Sequence, residues 1–132
     1  MITKDELIYK IQTEASVLGL DSFCLKLVEL VQEAPEAKAI YTYAHLMQSV
    51  GTEDIERLQA AINYLKSSPI KLFSQQYQYV DDDGVVYFLD KEDLQAALAD
   101  GALPHPDHGR LDFDFSNKVF IVYEADQAVI SS

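Results

Sequence analysis

The hydrophobic period of this chain changes from helical to alternating near Pro69, and that switch limits the fold more than any other feature. Up to Lys66 the apolar residues recur at three- and four-residue spacing, as on the buried face of an amphipathic helix. From Leu72 the pattern alternates: Phe73, Gln75, Tyr77 and Tyr79 point one way, and Ser74, Gln76 and Gln78 the other, as in a half-solvated strand. A helical half followed by a strand-forming half predicts an α+β fold, with the helices packed on a small antiparallel sheet.

Local signals place the elements. Thr3-Lys4-Asp5-Glu6 is a capping box that opens a first helix with Leu7, Ile11, Ala15 and Leu18 on its stripe, and Gly19 ends it. Asp21 or Ser22 caps a second helix to about Glu33, apolar around most of its circumference and so central to the core. Pro35 suits the first turn of a third, carrying Ala37, Ile40, Tyr41, Ala44 and Met47. Thr52 is expected to cap a fourth, with Ile55, Leu58, Ile62 and Leu65 inward, before Ser67-Ser68-Pro69 stops it.

Strands are predicted over 72–80 and 85–89, joined by Asp81-Asp82-Asp83-Gly84, where Asp-Gly is a strong hairpin signal. Asp90 with Asp93 caps a short helix bearing Leu94, Ala97 and Leu98, and a loop follows through Gly101, Pro104, Pro106 and Gly109. Val119 to Tyr123 is apolar on both faces and reads as an interior third strand. One domain over 1–132 is expected: a helical part (1–68), the hairpin, short helix and C-terminal strand (69–126), and a tail (127–132) whose Val129 and Ile130 can dock locally.

With 132 residues, 48% of them hydrophobic, the chain can bury a substantial core. No apolar run approaches the roughly 18 residues of a membrane span. The start, Met1 to Glu6, is acidic and polar where a signal peptide is basic and then apolar. Cys24, the single cysteine, lies in an apolar run and reads as a small buried hydrophobe, so a reducing cytoplasm is the expected compartment. The formal net charge is −12, unevenly spread: from Asp81 onward twelve acids face only Lys91, Arg110 and Lys118. Such a field repels nucleic acid and anionic membranes and suits a basic partner.

The small Ala44, the turn residue Gly51, the apolar beats at Val50, Ile55 and Leu58, and the hairpin that follows carry a resemblance. Over about Ala44 to Leu89 the chain resembles the winged helix-turn-helix superfamily, with the hairpin as its wing. The resemblance implies a recognition helix whose N-terminal and outward residues enter a DNA groove. Here those positions hold Glu53, Asp54, Glu56 and Arg57, with Ala60 and Asn63 further along, and the wing tip holds Asp81, Asp82 and Asp83. A helix N-terminus attracts phosphate with about half a unit charge, which three carboxylates more than cancel. Each carboxylate ~6 Å from a phosphate is repelled by roughly 0.7 kcal/mol in water, and several together by about 1–3 kcal/mol. Counterion release is lost as well. Direct nucleic-acid binding by this face is therefore not expected, and a protein partner is.

Other chemistries find no support in the spacing. Laid on a calcium loop, Asp81, Asp83 and Asp90 fall at the third, fifth and twelfth positions, but Tyr79 takes the first and strands flank the segment. His105 and His108, with Asp112 and Asp114, are metal-ligand types without a tetrahedral spacing. No nucleophile elbow or phosphate-cradling glycine loop is present, so no catalytic residue, cofactor or metal is assigned. Tyr43, Tyr77 and Tyr79 are candidates for an aromatic binding patch rimmed by acids. The expectation is a non-enzymatic protein-interaction or regulatory module with a winged-helix-like core. The partner-binding candidates are Tyr43, Glu53, Glu56, Arg57, Tyr77, Tyr79, Asp81, Asp82 and Asp83. The alternatives are a winged-helix transcriptional regulator that binds DNA and an inhibitor that mimics nucleic acid in the basic groove of its target.

Overall fold

The Thr3 hydroxyl accepts a hydrogen bond from the Glu6 amide at 3.1 Å and starts helix α1 (Lys4–Lys10). In the computed structural model, which describes residues 2–131, the helix then widens into a π turn (Ile11–Ala15) and tightens into a 3-10 turn (Ser16–Leu18). Gly19 closes it at φ +72°, an angle that a side chain would make costly. Leu7, Ile11 and Ala15 are buried; Leu18, expected on the same stripe, is exposed because the changes of pitch carry it off that face. Helix α2 (Asp21–Glu33) packs against the π turn and buries Cys24, Leu27, Val28 and Val31. Leu20, not Asp21 or Ser22, holds its N-cap position, and no side chain bonds there.

The helix expected from Pro35 is two elements. Lys38–Thr42 is strand β2, and helix α3 (Tyr43–Val50) begins where the Thr42 hydroxyl accepts the His45 amide at 3.1 Å. Gly51 turns the chain at φ +76°. Helix α4 (Ile55–Lys66) is capped by Asp54, whose carboxylate accepts the Arg57 amide at 3.2 Å, and not by Thr52, whose hydroxyl accepts the Asp54 amide at 3.0 Å. Leu58, Ala61, Ile62 and Leu65 are buried, but Ile55 is 58% exposed. It sits in the first turn and about 60° around the axis from Leu58, at the margin of the stripe.

The remaining elements are β1 (Ile2–Thr3), β3 (Phe73–Val80), β4 (Val86–Leu89), helix α5 (Lys91–Asp100), β5 (Leu103–Pro104), β6 (Leu111–Asp112), β7 (Val119–Asp126) and β8 (Ile130–Ser131). The fold is α+β. A four-stranded sheet has the order β2-β7-β3-β4, which adds β2 to the three strands expected. In the hairpin β3 and β4 run antiparallel, with Tyr79 opposite Tyr87 and Gln78 opposite Phe88. Strand β7 is interior, as its composition suggested, yet Phe120 and Ile121 are exposed, so it is not covered on both faces. Residues 127–131 form no loose tail: a 3-10 turn (Gln127–Val129) leads into β8, which pairs in parallel with β1; Ser132 lies outside the described residues.

Two compact units result, the first made of residues 2–74 and 123–131 and the second of residues 75–122. The first packs α1 to α4 with Tyr41, Phe73, Tyr123 and Ala125 around one core. The second has its own, built from Tyr79, Leu89, Ala97, Leu103 and Phe115. Among the described residues no helix is long and apolar enough to cross a membrane.

Candidate interaction surface

At the start of α4 the Asp54 carboxylate is committed to the cap, leaving Glu53 and Glu56 exposed and with no side-chain partner among the described residues. Arg57 is exposed but already has partners within the chain. Its guanidinium donates to the Gly19 carbonyl and lies 4.8 Å from the centre of the Phe23 ring, so it ties α4 to the end of the first helical segment. Tyr43 is half-buried; its hydroxyl donates to the Ile55 carbonyl at 2.9 Å and its ring leans on Tyr123. Both expected contact residues also brace the helices.

The hairpin turn owes its shape to Asp81. One carboxylate oxygen accepts the amides of Asp83 (3.0 Å) and Val85 (2.9 Å), and the other accepts the His105 Nε2–H at 2.9 Å. The Asp107 amide donates to His105 Nδ1 at 3.0 Å, which places the ring proton on Nε2. The His105 ring is buried, stacked on His108 at 3.7 Å and met edge-on by Tyr79 and Tyr87. The hydrogen bond from His105, followed by that from the Val85 amide, holds the Asp81 carboxyl below its ordinary range.

A second knot lies beside it. Asp112 accepts the Tyr79 hydroxyl at 2.6 Å and the Lys118 ammonium at 2.8 Å, while Lys118 also reaches Asp82 at 2.9 Å. Burial works to raise the Asp112 carboxyl, but Lys118, Tyr79 and the Asp114 amide outweigh it and hold it low. Lys118 is raised in turn by its two carboxylates. Tyr79, at 2% exposure, presents no surface to a partner, which corrects its assignment to the aromatic patch. Tyr77 is half-buried and bonded to Gln75 through its hydroxyl. Of the turn acids, Asp81 and Asp82 hold the loop together, and Asp83 alone projects without a partner. Among the described residues no three His, Cys, Asp or Glu side chains are arranged to hold a metal ion.

Burial, then the bond to Asp112, pushes the Tyr79 phenol up to about 12. The folded chain thus keeps this group neutral over a range where the unfolded chain releases its proton near pH ~10. Its stabilising contribution is complete below about pH 10 and is lost as the pH rises through the folded value. Tyr79→Phe is expected to lower stability at neutral pH by about 1–2 kcal/mol and to flatten the loss above pH ~10. Urea unfolding across that range checks both.

Sequence reasoning missed the sheet surface of the second unit. Tyr87 and Val119 pack toward the core, so their neighbours Val86, Phe88 and Phe120 project from the opposite face. Those three side chains are 49%, 56% and 53% exposed. The signal was present in the alternation of Val86 and Phe88 against Tyr87 and Leu89. Comparison with protein-family models, curated proteins and solved structures found no match to this chain.

Proposed function

We propose that the chain is a non-enzymatic, acidic protein-interaction or regulatory module of a reducing compartment, with a winged-helix-like helical core. The observation that carries this reading is the sheet face on which Val86, Phe88 and Phe120 stand in solvent, on the strands to either side of Gln78. Aromatic side chains on such a face are the usual anchors of a protein interface. The winged-helix reading draws support from the order of elements: α3, the Gly51 turn, α4, then the β3–β4 hairpin. On that reading the positions that would meet phosphate carry the exposed acids Glu53 and Glu56 at the start of α4 and Asp83 in the hairpin turn, which favours a protein partner over DNA. Burial pushes the Cys24 thiol up to about 12, a poor setting for a nucleophile, and supports the non-enzymatic side of the proposal.

The test is partner capture at two salt concentrations, run beside retention on duplex DNA. The native chain should hold a protein partner at about 0.5 M salt, because apolar contacts survive screening. Phe88→Ser combined with Phe120→Ser should release it. Retention on DNA that fades steeply with salt would point to the regulator of DNA instead. Capture of a basic protein that DNA displaces would point to the nucleic-acid mimic.

A further inference from the structure

We infer that the free edge of β4 takes up an extended basic peptide as an added strand, in the groove between β4 and α5. This rests on the protein-binding reading and names the chemistry of the partner segment. Strand β4 ends the sheet order, so one side of it has no neighbouring strand. The Asp81 amide donates to the Val85 carbonyl at 3.0 Å, which fixes the phase of the antiparallel ladder. Bonded pairs then recur every second residue, at Tyr79 with Tyr87 and at Tyr77 with Leu89. The N–H and C=O groups of Val86 and Phe88 therefore point away from β3, at the open edge.

A cavity of about 400 Å³ opens at the C-terminal end of this edge, lined by Phe88 and Leu89 of β4, by Asp93, Ala96, Ala97 and Asp100 of α5, and by the segment 102–106. Leu89 faces the helix-covered side of the sheet and Phe88 the other, so a space that both line reaches around the strand's outer edge at Phe88. The far wall is one face of α5, because Asp93, Ala96, Ala97 and Asp100 fall at i, i+3, i+4 and i+7. The two alanines leave room for a second backbone, and the two aspartates stand at the ends of the gap.

Charge selects the occupant. Asp93 and Asp100 have no ion pair among the described residues, and each would stay unpaired beside an acidic or neutral strand. They are separated by roughly 10 Å along the helix, seven residues at about 1.5 Å each. In an extended peptide, residues four apart on one face are separated by about 13 Å. Lysine or arginine stems cover the difference, so the fitting segment is basic-x-apolar-x-basic, its middle side chain over Ala96 and Ala97. A second copy of this chain would bring like charge to the same edge and is disfavoured.

The probe is a fluorescein-labelled peptide containing Lys-Thr-Val-Thr-Lys, followed by anisotropy with the full chain. Saturable binding is expected, weakened about tenfold or more by Val86→Pro, which deletes an outward N–H that an edge strand can lose without breaking the hairpin. Asp93→Asn with Asp100→Asn should weaken it about fivefold or more and flatten its salt dependence. A peptide N-methylated at alternate residues should fail to bind, which tests strand pairing without altering the protein. Unchanged affinity for Val86→Pro or for the N-methylated peptide overturns the inference, as does equal binding of a peptide with Glu in place of Lys. If a captured partner depends on Phe88 and Phe120 while the native chain ignores the peptide, the edge proposal fails and the protein-binding reading stands. If neither capture nor peptide binding responds to any of these changes, both fail.

Discussion

Leu58→Ala is expected to lower the free energy of unfolding by about 2–5 kcal/mol, and Ile55→Ala on the same helix to change it by less than about 0.5 kcal/mol. Leu58 is fully buried at the centre of the helical core, where removing three carbon atoms leaves a cavity that neighbours cannot refill. Ile55 belongs to the same apolar series in the sequence, but it sits directly after the Asp54 cap with its side chain largely in water. Denaturant unfolding of the two variants reports the rotation of α4 about its axis. Equal losses would mean that the helix turns Ile55 inward as its spacing alone suggests.

The second large effect belongs to His105. His105→Ala should destabilise the chain by about 2–4 kcal/mol, since it removes a buried ring packed by Tyr79, Tyr87 and His108 and strips Asp81 of its strongest hydrogen-bond donor. The damage should spread into the turn. The Asp83 and Val85 amides both end on Asp81, and the Asp107 amide ends on the lost ring nitrogen. Faster hydrogen exchange at those three amides, together with the lower midpoint, would show that His105 is the support of the turn. Unaltered stability would remove that role.

What the sequence disclosed followed the range of the forces involved. The Thr3 cap, the run from Asp21 to Glu33, the hairpin and the helix after Asp90 depend on neighbours a few residues away, and the spacing marks them. The segment 35–47 misled because Ala37, Ile40, Tyr41 and Ala44 keep the helical spacing, while Ala37, Ala39 and Tyr41 alternate as a strand would, with Ala39 and Tyr41 the inward residues of β2. Its outcome is decided by pairing in a sheet with strands far along the chain, and by a cap at Thr42 that the three-residue spacing to His45 would have allowed.

The interaction surface was less legible. Tyr79 and Arg57 have the composition of contact residues, but Asp112 lies 33 positions from the first and Gly19 lies 38 from the second. No local pattern announces such partners. Phe88 and Phe120 were passed over for the opposite reason: both stand in apolar runs that read as interior, and exposure depends on which face of the sheet receives α5.

The two-residue pairing of β1 with β8 governs when the molecule can finish assembling. It joins Ile2 to Ile130, positions 128 apart along the chain, and carries Ile2 into the helical core, with Ile130 packed against it. Contacts so distant in sequence form late, after α1 and β7 have organised the segments beside them. A clasp made last is expected to open early, and amide exchange in β1 and β8 faster than in the middle of α2 would show that the helical unit unfastens where its first strand meets its last.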